Sequence, residues 1–167
     1  MKKRVIIIIS WISVIIWMGV IFMFSNQNSK TSLEGSRGII KEAVNVTLDT
    51  SMDLGIIKEK PTENEILSVS NVIDFPFRKI MHISEYIILS ILVLNALYQS
   101  GIKNKKQLIL SLVICFLYAS TDEFHQSFLD RTAKFTDVLI DSCGAAFGLV
   151  IYFKALDIYR KRVIKKG

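Results

Sequence analysis

The residues able to do chemistry in this chain fall in two short stretches. The first holds Arg78, Lys79, His82 and Glu85; the second holds Asp122, Glu123, His125, Gln126, Asp130, Arg131, Asp137 and Asp141. Arg78, His82 and Glu85 follow i, i+4, i+7 and share one helix face, with Lys79, His82 and Tyr86 as an overlapping stripe. Asp122 and His125, and Glu123 and Gln126, are three apart, while Asp137 and Asp141 are four apart, so each pair has neighbouring positions on a helix. Histidine among carboxylates suits general acid–base chemistry. His82, Asp122, Glu123 and His125 are therefore the candidate catalytic residues: either histidine as acid or base, Asp122 or Glu123 orienting or activating it. Arg78, Lys79 and Arg131 suit a phosphate or pyrophosphate. With Glu85, Gln126, Asp137 and Asp141 they make the candidate ligand-binding set. Asp122-x-x-His125 with His82 also offers metal-type ligands, but the spacing matches no established metal motif and no metal site is read. Acids and histidines within membranes also serve proton relays.

The elements that must hold these residues are membrane-length. The chain has 167 residues, of which 51% are hydrophobic. The apolar residues are gathered in blocks of roughly 15–20, the length that crosses a bilayer as a helix. Four spans are expected, at 5–24, 78–98, 107–128 and 135–153, giving an all-α polytopic membrane protein. The first follows Lys2, Lys3 and Arg4 and ends at Met23-Phe24-Ser25-Asn26-Gln27, without a small-x-small cleavage signal, so it reads as a retained helix. Trp11 and Trp17 lie inside that run and are expected to pack on other helices. Gly144-x-x-x-Gly148 offers the fourth helix a small-residue stripe for close approach. Cys115 and Cys143 both sit in apolar runs and read as small hydrophobes.

Charge sets the expected orientation. Residues 1–4, 101–107 and the tail 154–167 hold twelve Lys/Arg and one acid. Everything else holds nine Lys/Arg against fourteen acids. The positive-inside rule then predicts both termini in the cytoplasm and a long outer loop over 25–77. The net charge of +6 thus belongs to loop ends, and no aromatic–basic platform suggests nucleic acid as a partner. Within the loop two short amphipathic helices are expected. One runs near 36–48; the other starts at the capping box Thr62-x-x-Glu65 and is stopped by Pro76. Such a loop either touches lipid headgroups or covers a site at the membrane surface. With this topology both histidines and the charged set fall at one depth, at the outer face.

The same residues carry a resemblance to the VanZ-like family of bacterial integral membrane proteins. Phe22-x-x-Ser25-x-Gln27 resembles the family's end of helix one, and Lys79-x-x-His82-x-x-Glu85-Tyr86 its second-helix motif. Asp122-Glu123-x-His125-Gln126-x-Phe128, followed by Arg131, Asp137-Val138 and Gly144-x-x-x-Gly148, resembles its most distinctive pattern. Two departures are visible: Leu129-Asp130-Arg131 stands where the family often has Pro-Gly-Arg, and Asp141 where it often has Asn. The resemblance implies a single membrane domain over 1–167, a place in the bacterial cell membrane and, for the family's named member, a link to glycopeptide (teicoplanin-type) resistance. It implies no reaction. Two uses of the site stay open. One is action on a lipid-linked or cell-envelope phosphate-containing precursor. The other is a non-catalytic role, recognising an envelope ligand or clamping the helix ends.

Overall fold

The structure is a computed structural model and describes residues 2–26, 29–57, 59, 61–128 and 134–164. Among these the regular structure is five α-helices: α1 (Lys2–Ser25), α2 (Ser29–Asp53), α3 (Glu63–Gln99), α4 (Asn104–Gln126) and α5 (Phe135–Ile164). Among the described residues α1, α3, α4 and the Phe135–Tyr159 part of α5 are long and apolar enough to cross a membrane. At about 1.5 Å per residue, the 24 residues of α1 reach about 36 Å, more than the roughly 30 Å of a hydrocarbon core. The chain is an all-α polytopic membrane protein.

The chain forms two compact units, 1–26 with 82–167 and 27–81, and the boundary between them falls within α3. The larger unit is inside-out relative to a water-soluble protein. Along α1, Ile8, Ile9, Ile12, Ile15 and Ile16 are exposed, while Ser10, Val14, Ile21 and Ser25 are buried. A lipid-facing surface explains the isoleucines, because association of helices in a bilayer depends on packing and hydrogen bonds more than on hiding apolar area. Both tryptophans pack inward, as expected. Trp11 Nε1 donates to Ser100 Oγ at 3.1 Å and Trp17 Nε1 to the Glu85 carbonyl at 3.0 Å. Between α3 and α4, Gln107 Nε2 donates to the Leu94 carbonyl at 2.9 Å. Tyr86, Leu89, Val93, Cys115, Ala119, Val138 and Ala145 form the core, and both cysteines are free.

The glycine stripe lies against the backbone of α3. A Cβ on Gly144 would stand 2.7 Å from the Ile83 carbonyl oxygen, and one on Gly148 would stand 2.6 Å from that of Ile87 and overlap Ser90 Oγ. Only glycine permits this approach. The α3–α4 turn closes with Gly101 at φ +88°. Its N–H donates to the Tyr98 carbonyl and that of Ile102 to the Leu97 carbonyl, the Schellman pattern.

The smaller unit corrects the expected loop. Helices do occupy it, but α2 covers 29–53 rather than 36–48, and the second does not stop at Pro76. α3 runs through Pro76 from Glu63 to Gln99. Proline removes one backbone donor and crowds the preceding turn. Here the Asp74–Arg78 ion pair, 2.9 Å and i,i+4, ties together the turns on either side of it. The capping box forms as read: Thr62 N–H donates to Glu65 Oε2 at 2.8 Å and Glu65 N–H to Thr62 Oγ1 at 3.4 Å. α2 and the first turns of α3 run antiparallel, with Ser36 bonded to Asp74 and Lys41 paired to Glu63 at 3.6 Å. Other bounds also shift. α4 ends at Gln126 rather than 128, and α5 continues through Ile164 rather than ending at 153.

Candidate functional site

Four helix segments of the larger unit bring polar residues to one end of the bundle. They are the last turns of α1, α3 from His82 onward, the last turns of α4 and the first turns of α5. α1 and α4 run parallel here, and their motif residues touch. Gln126 Nε2 donates to Ser25 Oγ at 2.8 Å and to Asp122 Oδ2 at 3.0 Å. Beside them the rings of Phe22 and His125 meet with centroids 4.7 Å apart, tilted by 47°. The Phe22-x-x-Ser25 spacing therefore matches the His125-Gln126 pair on its neighbour.

On α3, His82 Nδ1 lies 3.5 Å from Glu85 Oε2, an ion pair when the imidazole is protonated. Trp17 holds the Glu85 backbone from the α1 side. Glu123 Oε1 accepts the Lys134 backbone N–H at 2.5 Å, which fastens the end of α4 to the start of α5. Asp137 lies in the first turn of α5, where a carboxylate is favoured by the helix dipole. Asp141 follows one turn later and is buried, 6% exposed.

These carboxylates form one electrostatic group. Asp141 interacts with Asp122, Asp137, Glu85 and Glu123, and Glu85 interacts with Asp122. Among the described residues, no three His, Cys, Asp or Glu side chains converge closely enough to hold a metal ion. Histidine among buried carboxylates can exchange protons with them.

Of the residues proposed from sequence, His82, Glu85, Asp122, Glu123, His125, Gln126, Asp137 and Asp141 all lie in this unit. Arg78 and Lys79 belong to the smaller unit, where Arg78 pairs with Asp74 and Lys79 lies 5.6 Å from the Phe75 ring centroid. Arg131 and Asp130 lie outside the described residues. Sequence reasoning missed Ser25, Trp17 and Tyr86 as members of the site. Ser25 and Tyr86 appear in the motifs shared with the family, but only as letters in a pattern. Their contacts are made across helices and have no periodic signal.

A family model, VanZ/LLP1, matches residues 10–158. No curated protein and no solved structure matches the chain significantly.

Proposed function

The chain belongs to the VanZ/LLP1 family, and we propose that it is a multi-pass cell-membrane protein whose polar cluster faces outward and works by general acid–base chemistry on an envelope amphiphile. Both termini and the α3–α4 turn are cytoplasmic in this reading, because Lys/Arg crowd those segments. The observation that carries the acid–base role is the His82–Glu85 pair beside the buried carboxylates Asp122, Glu123 and Asp141. Ionisable groups at membrane depth are costly and are kept where they serve a pathway or a reaction. A phosphate-bearing substrate would lean on Arg131, since Arg78 is engaged by Asp74.

The orientation is tested by reporter fusions. Fusions after Asn104 and at the C-terminus should report cytoplasm, and one at Asp53 the outside; a cytoplasmic Asp53 overturns the outward-facing site. The activity is tested by profiling lipid-linked and cell-wall precursors, together with glycopeptide susceptibility, in deletion and complemented strains. His82→Ala and Asp122→Asn should each fail to restore the profile at normal protein abundance. The double variant should be no worse, since members of one network act non-additively. Full activity of both single variants removes the acid–base role.

A further inference from the structure

α4 ends at the polar cluster, and its other end borders a cavity that the acid–base reading does not use. The cavity opens between α4 and α5 and has a volume of about 500 Å³, within the roughly 300–1,000 Å³ of ligand sites. Leu108 of α4 and Leu149, Val150 and Phe153 of α5 line it, with Lys154 and Asp157 beside them. A second cavity, of about 210 Å³, shares Phe153 and Asp157 with the first. It adds Lys103, Asn104 and Gln107 from the start of α4 and Tyr98 from the end of α3. Over about two turns of α5 an apolar groove therefore passes into a polar pocket.

The charges at this junction are unequal. Asp157 is answered by Lys161, whose Nζ lies 2.6 Å from Oδ2. Among the described residues Lys154 has no hydrogen-bond or ion-pair partner. Lys103 lies 5.1 Å from the Tyr98 ring centroid and likewise pairs with no acid. One ammonium thus stands on the groove and another on the pocket, both without a counter-charge. Val150 and Phe153 are 48% and 39% exposed, on a helix long and apolar enough to cross a membrane, so the groove opens toward lipid tails. A lysine at the end of an apolar run carries its ammonium to headgroup level, and Lys154 holds that position on α5.

The size and the charge together select the occupant. A transmembrane helix is about 10–12 Å across, and a cavity of about 500 Å³ would take little more than one turn of it. An acyl chain is slender enough to lie along the groove. A zwitterionic lipid would fill the groove and leave the two lysines unanswered. Free phosphate would answer the lysines and leave the groove empty. A phospholipid with a net negative headgroup does both, and basic pockets between membrane helices recognise such headgroups.

We propose that the α4–α5 groove and the pocket beside it form a binding site for an anionic phospholipid. An acyl chain lies along Leu149, Val150 and Phe153, and Lys154 and Lys103 hold the phosphate. The site is separate from the polar cluster. It requires neither the acid–base role of that cluster nor a particular orientation of the chain.

The probes are dioleoylphosphatidylglycerol and dioleoylphosphatidylcholine, titrated into the purified full-length chain in a non-ionic detergent. Retained lipid is read by native mass spectrometry on monodisperse protein. One phosphatidylglycerol should be retained saturably, at least about fivefold more tightly than phosphatidylcholine. Lys103→Gln combined with Lys154→Gln should weaken phosphatidylglycerol about tenfold and leave phosphatidylcholine unchanged. Lys154→Gln alone, on an exposed helix surface, should weaken it about threefold. Lys105→Gln combined with Lys106→Gln removes the same charge from residues that line neither cavity, and should keep the preference. Asp157→Asn should tighten phosphatidylglycerol, and Val150→Trp, which fills the groove, should weaken both lipids.

Equal retention of the two lipids, or phosphatidylglycerol adducts that never saturate, overturns the site. So does a loss of preference in the Lys105/Lys106 variant as large as in the Lys103/Lys154 variant, since bulk charge then explains it. Displacement of phosphatidylglycerol by equimolar inorganic phosphate assigns the lysines to a free anion and removes the lipid. Wild-type retention of both lipids by Val150→Trp removes the groove.

Discussion

Asp74 and Asp141 are both buried, at 4% and 6% exposed, and the two units treat them in opposite ways. In the smaller unit Asp74 accepts a bond from Ser36 and pairs with Arg78 at 2.9 Å. Its charge is met on both oxygens, and it holds α2 to α3 across the turn that contains Pro76. In the larger unit Asp141 has carboxylates for electrostatic neighbours. Burial alone therefore does not tell how an aspartate is partnered. Asp74 has its counter-charge in Arg78, whereas the groups that bear on Asp141 among the described residues are other carboxylates.

The α3–α5 seam gives the largest expected effect and tests whether Asp141 is held rigidly at all. Gly148→Leu should abolish monodisperse protein in detergent, because even a Cβ overlaps Ser90 and stands 2.6 Å from the Ile87 carbonyl oxygen. Leu149→Ala, which only trims a side chain, should give substantially more folded protein. Equal yields would show that the seam does not position α5.

Next comes the paired aspartate. Asp74→Asn should cost about 2 kcal/mol, the loss of a charge-assisted contact that leaves Arg78 unmatched. Thermal unfolding checks this, and replacing Asp74 and Arg78 together by leucine should recover most of the loss. An Asp74→Asn variant as stable as wild type would erase the contrast from the structural side.

A smaller effect is expected at the start of α3. Thr62→Ala removes the capping box and should cost about 1 kcal/mol, read as a small fall in the unfolding midpoint with complementation intact. The smallest effect on stability is expected at Asp141. Asp141→Asn relieves repulsion within the carboxylate group, so its unfolding midpoint should match or exceed the wild type while complementation fails. A marked loss of stability with Asp141→Asn would make that residue another clamp like Asp74.

How far each feature was legible follows from the range of the interaction behind it. The four spans, the basic ends and the Thr62–Glu65 cap are local: hydropathy over about 20 residues, charge beside a span and a bond over three residues can each be read along one strand of letters. The common depth of the site followed from alternating helix direction. The Gly144/Gly148 stripe announced a close approach, though not that it is made to α3 at Ile83 and Ile87. Pro76 was misleading, because its local preference to end a helix is overridden by the Asp74–Arg78 pair that spans it.

Partnership required the tertiary structure. Arg78 and Glu85 share a helical stripe in the sequence, yet Arg78 is engaged by Asp74 and Glu85 lies with His82 and the carboxylates. Tyr86 shares a helical stripe with Lys79 and His82 in the sequence, and only three-dimensional packing leaves its hydroxyl buried and unbonded. Hydropathy and charge act on a segment against its solvent, so the sequence alone placed the helices and chose the residues that could react. A hydrogen bond or ion pair is decided by which side chains from distant segments arrive within about 3 Å, and that was decided by the packing of α1, α3, α4 and α5.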